Sequence, residues 1–213
     1  MRQGGCRRWV WVFLAVLSIS CSGEDGPEKV INGEPPGTPR TSPENLMQIL
    51  LDAYADRDLT ALDSLFSPDY AFVYVPDEGL DPDTLDRADE HLIHLNLFGV
   101  QYVQELELTF DMGQAAVDDE RTQPGDTVWT AVATNVQLRV LGTTPDHPTV
   151  TENFEVRDAR QQYWFTKMPW TEPVSGEVTW AICEWHDLDT LWEGLPRRGA
   201  ARTTWSAIKS IYR

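Results

Sequence analysis

The stretch Ser42–Val75, SPENLMQILLDAYADRDLTALDSLFSPDYAFVYV, constrains the fold more than any other part of this chain. Ser42 is a suitable N-cap, Pro43 fits a first helical turn, and Glu44 stands at the positive end of the helix dipole. Leu46, Ile49, Leu50, Ala53 and Tyr54 recur at three- and four-residue spacing, which predicts a helix with one buried face. Asp58 can cap a second helix with Leu59, Leu62, Leu65 and Phe66 on its apolar side. Ser67-Pro68 ends it, because the residue before a proline is pushed out of helical geometry. Tyr70–Val75 is β-branched and aromatic and reads as a strand closed by Pro76.

Downstream, Asp83–Phe98 reads as a third helix with Leu85, Ala88, Leu92, Leu95 and Phe98 as its stripe and Gly99 as its stop. Strand patterns then take over. Val100–Phe110 alternates imperfectly, whereas Thr127–Leu141 places Val128, Val132, Val136, Leu138 and Val140 on one face. Thr149–Val156, Gln161–Lys167 and Glu177–Asp187 complete a meander, separated by turn-rich segments such as Gly142–Asp146 and Pro173–Gly176. Thr203–Tyr212 reads as a short last helix with Trp205 and Ile208 inward. Helices followed by an antiparallel sheet imply an α+β fold with the helices on one face.

The 213 residues leave room for one domain plus appendages. The head has the layout of a secretory signal: Arg2, Arg7 and Arg8, the apolar run Trp9–Leu17, then small residues to Cys21. The run is shorter than the roughly 20 residues of a membrane-spanning helix. Leu17-Ser18-Ile19-Ser20-Cys21 resembles the lipobox of bacterial lipoproteins, in which the cysteine is lipidated and becomes the new N-terminus. The family prefers Leu where Ser18 stands, and an ordinary cleaved signal with an incidental cysteine is the alternative. Residues 1–20 therefore read as a lipoprotein signal peptide, and localisation is expected at the cell envelope, lipid-anchored to the outer membrane and facing the periplasm or the surface. Ser22–Thr41 is dense in Gly, Pro and charge. With Cys21 it reads as a disordered tether, 21–41, with a reach of up to about 60 Å at about 3 Å per residue. The folded domain is then 42–213.

Without residues 1–20 the chain carries 14 Lys/Arg against 34 Asp/Glu, a net charge of −20. Such a domain repels nucleic acid and anionic headgroups, so membrane association is expected through the lipid anchor only. Cys183 is the only thiol left if Cys21 carries lipid, and it reads as a buried apolar residue, not a nucleophile.

Pro43-Glu-Asn-Leu, Ala53-Tyr54, Arg57-Asp58-Leu, Leu65-Phe66-Ser-Pro-Asp69-Tyr70 and Trp180-Ala-Ile182-Cys-Glu-Trp185-His-Asp187 together resemble the NTF2-like superfamily. More narrowly, they are similar to uncharacterised bacterial lipoproteins of that fold. The resemblance implies a cone: N-terminal helices packed in a strongly bent antiparallel sheet, with a pocket at the wide end. It also implies homodimers through the sheet in many relatives. In the ketosteroid-isomerase branch an aspartate base lies on the first strand and a tyrosine donor on the first helix. Here Tyr74 falls where the aspartate belongs and Leu50 where the tyrosine belongs, and neither supplies the needed chemistry.

Pocket candidates are nonetheless nameable. His91 and His94 stand three apart beside Asp89 and Glu90, a spacing that suits zinc or a base near a carboxylate but lacks a third ligand. Glu184 and His186 share strand parity with Val178, Trp180 and Ile182; on a concave face Glu184 would be a carboxylate in an aromatic setting, and the alternative is a strand end in water. Seven tryptophans lie between Trp129 and Trp205, read mainly as core, with Trp164 and Trp170 as the exceptions because turn residues flank them. Tyr54, Tyr74, His91, His94, Trp164, Trp180 and Glu184 are the pocket candidates. No P-loop, dinucleotide fingerprint, G-x-S-x-G or C-x-x-C is present, so no cofactor or metal is expected. The sequence favours non-catalytic binding of a small molecule or a protein, against an isomerase, dehydratase or hydrolase built on Tyr54, Tyr74, His91, His94 and Glu184.

Overall fold

A computed structural model describes residues 38–75, 81–173, 175–191 and 204–213. The signal, Cys21 and most of the tether expected from the sequence lie outside the described residues. Helix α1 (Pro43–Asp56) begins where Ser42 Oγ accepts the Asn45 N–H at 3.2 Å, and ends at Arg57 in the left-handed region, φ 56°. The Arg57 guanidinium donates to the Val103 and Gln104 carbonyls at 2.6 and 3.0 Å, tying the helix end to the sheet. Asp58 caps α2 (Leu59–Asp63) through the Ala61 N–H at 2.9 Å.

The strands are β1 (Phe66–Tyr74), β2 (Asp83–Asp86), β3 (Val103–Met112), β4 (Ala116–Val117), β5 (Trp129–Gly142), β6 (Glu152–Thr171) and β7 (Val178–Asp187). Between them lie α3 (Arg87–Leu97), α4 (Leu188–Leu191) and α5 (Trp205–Tyr212). The seven strands form one open sheet in the order β2-β1-β7-β6-β5-β3, with β4 pairing β5. The fold is α+β as expected, but the sheet is mixed rather than antiparallel, because β1 runs parallel to β7. Strand β1 also starts four residues early, at Phe66. The second helix ends at Asp63, ahead of Ser67-Pro68, which lies inside the strand, where an extended pre-proline residue fits.

Two further corrections share one cause. Thr149–Val156 and Gln161–Lys167 are parts of a single 20-residue strand, β6, and the inward face of β5 does not keep one parity. Ala131 and Ala133 point inward before Asn135, and Val136, Leu138 and Val140 after it. Asn135 (φ 52°) and Asp158 (φ 54°) take left-handed backbone at shifts in the β5–β6 register. Asn and Asp enter that region more readily than most residues, and each bulge bends its strand and reverses the alternation. Long strands can thereby curl around the helices.

The third helix starts at Arg87, where Asp86 accepts the Ala88 and Asp89 N–H groups at 2.8 and 3.0 Å; Asp83–Asp86 is strand. Its buried face is Glu90, Ile93, His94 and Leu97. The expected stripe through Leu92 and Leu95 is instead half-exposed, at 52 and 50%. Helix α5 sits as expected, with Trp205 and Ile208 buried, joined by Lys209 and Tyr212. Among the described residues no helix is long and apolar enough to cross a membrane.

Candidate functional site

The polar groups of the concave side converge beneath α5. Glu90 and His94 stand one turn apart on α3, so their side chains leave the same face. His94 Nδ1 lies 2.8 Å from the Glu90 carbonyl oxygen, which can only accept, so Nδ1 carries a proton. In the tautomer with its proton on Nδ1, Nε2 is the acceptor, and it takes the Tyr54 hydroxyl at 2.6 Å. Burial pushes the Tyr54 phenol well above its ordinary range, which keeps it a neutral donor.

The Glu90 carboxylate is the centre of the cluster. Oε1 accepts from the Tyr70 hydroxyl at 3.1 Å and from the Lys209 ammonium on α5. Oε2 lies 3.2 Å from His94 Nδ1, whose proton is already directed at the carbonyl, and it accepts no hydrogen bond. Burial acts to raise the Glu90 carboxyl, but the Lys209 ammonium and His94 outweigh it and hold it well below the usual carboxylate range. Burial depresses Lys209, partly offset by the attraction of Glu90. The ammonium also lies 3.5 Å from the Phe72 ring centroid and 4.1 Å from that of Trp185, within cation–π range of both.

A second buried carboxylate anchors the start of α5. Asp187 Oδ2 accepts from the Ser206 N–H and hydroxyl at 3.2 and 3.1 Å, and Oδ1 accepts from Gln161 at 3.2 Å. Gln161 in turn accepts the Trp185 indole N–H at 2.6 Å. Burial pushes Asp187 up to about 6, with Ser206 opposing. At the other end the Tyr212 hydroxyl donates to the Thr143 carbonyl at 3.2 Å, and Asn96 donates to the Tyr212 carbonyl at 2.9 Å. Helix α5 is thus held at its start, middle and end over the concave face.

The seven pocket candidates do not converge on one cavity. Tyr54 and His94 meet beneath α5. Trp164 and Glu184 meet elsewhere, on the opposite face of the sheet. There the Arg121 guanidinium stacks 4.0 Å over the Trp164 ring and pairs with Glu184, which also bonds His186. The Trp164 indole N–H donates to Asp118 at 2.7 Å. His91 pairs with Asp63 at 2.7 Å on the accessible side of α3, and Tyr74 donates to Asp83 at 3.3 Å in an exposed position. Trp180 packs edge-on against Trp129, 5.7 Å between centroids.

The reading of Glu184 as a pocket acid is corrected by a bulge. Phe165 pairs with Ile182 and Trp164 with Glu184, so Cys183 is an extra residue that flips the parity. Trp185 and Asp187 point inward in place of Glu184 and His186. The H-x-x-H spacing does not act as a unit either, because His94 is buried and His91 is not. Among the described residues no group of three or more His, Cys, Asp or Glu is placed to hold a metal. Burial pushes the Cys183 thiol up to about 11, which suits an inert side chain.

Lys209, Tyr70, Gln161 and Asp187 escaped the sequence reading as site residues, and Glu90 was named only as a carboxylate beside the histidines. A signal existed for Glu90 and Lys209. Glu90 and His94 share the i, i+3, i+4, i+7 face with Ile93 and Leu97, and Lys209 falls on the Trp205–Ile208–Tyr212 stripe. A charge inside an apolar stripe is the mark of a buried pair.

The element order is two helices into a strand, a third helix, then long curled strands. No protein-family model matches the chain, and no curated protein matches it. Solved structures do. A protein provisionally named an aromatic ring hydroxylase from Novosphingobium aromaticivorans is 20% identical, with a TM-score of 0.42 over 67% of this chain and 82% of that one. An NTF2-like protein of unknown function in nutrient uptake from Rhodospirillum rubrum is 17% identical, TM-score 0.38, over 66 and 92%. A conserved protein from Planctomyces limnophilus is 15% identical, TM-score 0.43, over 67 and 89%. At these identities the likeness is one of fold alone.

Proposed function

We propose that this chain is an exported, lipid-anchored binding domain that takes a small ligand or a protein partner and catalyses no reaction. One observation carries the non-catalytic part. The groups under the helix that could do acid–base work, Tyr54, His94 and Glu90, are buried and engaged with one another and with Lys209. A general acid or base must reach a substrate proton within hydrogen-bonding distance, and α5 occupies that approach. The anchoring part is supported by the basic and apolar head, the lipobox-like Leu17–Cys21 and the Gly/Pro-rich segment after it. The negative charge supports partners other than nucleic acid.

The test of binding is a metabolite library added to the purified domain, read by tryptophan fluorescence and melting temperature. Trp185 on β7 and Trp205 on α5, 5.1 Å apart, report directly on the contact between that helix and the sheet. A saturable shift without chemical conversion of the compound is the expected result. No shift with any compound sinks the small-ligand form. The protein-partner form, including a homodimer through the sheet, fails if the chain stays monomeric in light scattering at high concentration and captures nothing.

A second reading, an isomerase, dehydratase or hydrolase of small molecules, rests on the 2.6 Å bond between Tyr54 and His94 beside a carboxylate. It requires α5 to leave during turnover. Conversion of any library compound by the wild type, lost in His94→Gln, would establish it in place of the first.

A further inference from the structure

We propose that the concave face carries a binding site for a primary ammonium group on an aliphatic stem, and that the chain's own Lys209 occupies it. The proposal rests on the small-ligand reading above and names the chemistry of its ligand.

Three walls define the site. The Phe72 and Trp185 rings present π-faces 3.5 and 4.1 Å from the nitrogen, and Glu90 supplies the counter-charge from α3. Two aromatic faces and one carboxylate around a dehydrated cation form a recognition site for amines. Lys209 bonds Glu90 Oε1, and the second carboxylate oxygen, Oε2, is buried 3.2 Å from His94 Nδ1 and not used by the lysine. An ammonium group carries three N–H donors and is able to use both carboxylate oxygens.

Docking of α5 does not rest on this arrangement alone. Trp205, Ile208 and Tyr212 already bury its apolar face, and Asp187 and Asn96 hold its two ends. A buried ion pair is often no better than apolar residues of the same volume, because two charges must be dehydrated to form it. Apolar residues at both 209 and 90 would fill that space without the cost. What the lysine adds is a removable mimic: an intramolecular ligand that fills the site and that a free amine can replace. Quaternary ammonium is disfavoured, since it cannot donate to Glu90.

The test uses the full chain carrying Lys209→Ala, titrated with n-butylammonium or with n-butanol, which matches the stem but lacks the charge. Butylammonium is expected to raise the melting temperature saturably, by about 3–6 °C at roughly ten times its Kd, while butanol and tetramethylammonium do not. Adding Glu90→Gln to the variant should abolish the gain. Equal responses to butylammonium and butanol, or none to either, overturn the proposal. A library compound without an amine that shifts the wild type would leave the small-ligand reading standing while that null amine result removes its ammonium chemistry. Should Lys209→Ala not fold, the wild type decides. Butylammonium should speed amide exchange in Trp205–Tyr212 at least severalfold and leave β5 and β6 unchanged, and unchanged exchange in α5 overturns the proposal.

Discussion

Lys209 and Glu90, 2 and 0% exposed, form an ion pair that joins the last helix of the chain to the middle of α3. They are 119 residues apart in sequence. Breaking a buried pair by removing one partner leaves an uncompensated charge, at a cost of about 3–5 kcal/mol. Glu90→Gln and Lys209→Met should each destabilise the domain, and the double variant should lose less than the sum of the two. Urea unfolding of the four proteins measures this; strict additivity would mean that the pair is not coupled.

Stability should peak in mildly acidic solution. Asp187 is raised to about 6 from 3.8, so the folded state binds its proton more tightly than the unfolded chain does. That contribution is fully present below the unfolded pKa and is lost as pH rises through about 6, on the order of 3 kcal/mol. Glu90 has the opposite sign. Its folded pKa is depressed, so its contribution is present above the unfolded value of 4.5 and is lost as pH falls below it. Asp187→Asn should flatten the decline between about pH 4 and 6, measured as melting temperature against pH. A profile identical to the wild type would contradict the assignment.

The Tyr54–His94 bond offers a test within the apolar interior. Tyr54→Phe keeps the ring packed against Phe98 and Trp205 but leaves His94 Nε2 buried without a donor. The expected loss is about 1–3 kcal/mol in chemical denaturation. No loss would show that the bond contributes nothing net.

Asn135 sets the bend of β5 from a left-handed backbone, and its side chain donates to Asp111 at 2.7 Å. Asn135→Val should cost about 1–3 kcal/mol, because a β-branched residue is strained there, and Asn135→Gly should cost less. Thermal unfolding of the pair gives the order, and the reverse order would refute it.

Lipidation predicts that Cys21→Ser releases the protein from membranes into the soluble fraction. Unchanged membrane association in fractionation would sink that claim.

The helices were legible because capping residues and three- and four-residue spacing are local signals: Ser42, Asp58 and the Trp205–Tyr212 stripe act within a few residues. The longer strands were legible for the same reason, whereas Asp83–Asp86 read as helix and Ala116–Val117 went unread. Strand facing was not, since one left-handed Asn or Asp, or one extra Cys183, reverses every later side chain and leaves no mark in composition. The parallel pairing of β1 with β7 joins segments more than 100 residues apart, beyond any periodicity. Of the candidate site, Tyr54 and His94 could be singled out one by one. Their bond, and the pairing of Glu90 with Lys209, exist only after α1, α3 and α5 are brought together.

The central claim is that Lys209 and Glu90 hold α5 over Phe72 and Trp185, and native-state amide exchange tests it most directly. The Ile208 N–H, bonded to the Thr204 carbonyl at 3.1 Å, is the reporter. In the wild type it should be protected nearly as well as the β5–β6 ladder. In Glu90→Gln it should exchange faster by an order of magnitude or more relative to that ladder, as about 1.4 kcal/mol of selective loosening would give. Equal loss of protection across α5 and the sheet, or undiminished protection of Ile208, would contradict the account.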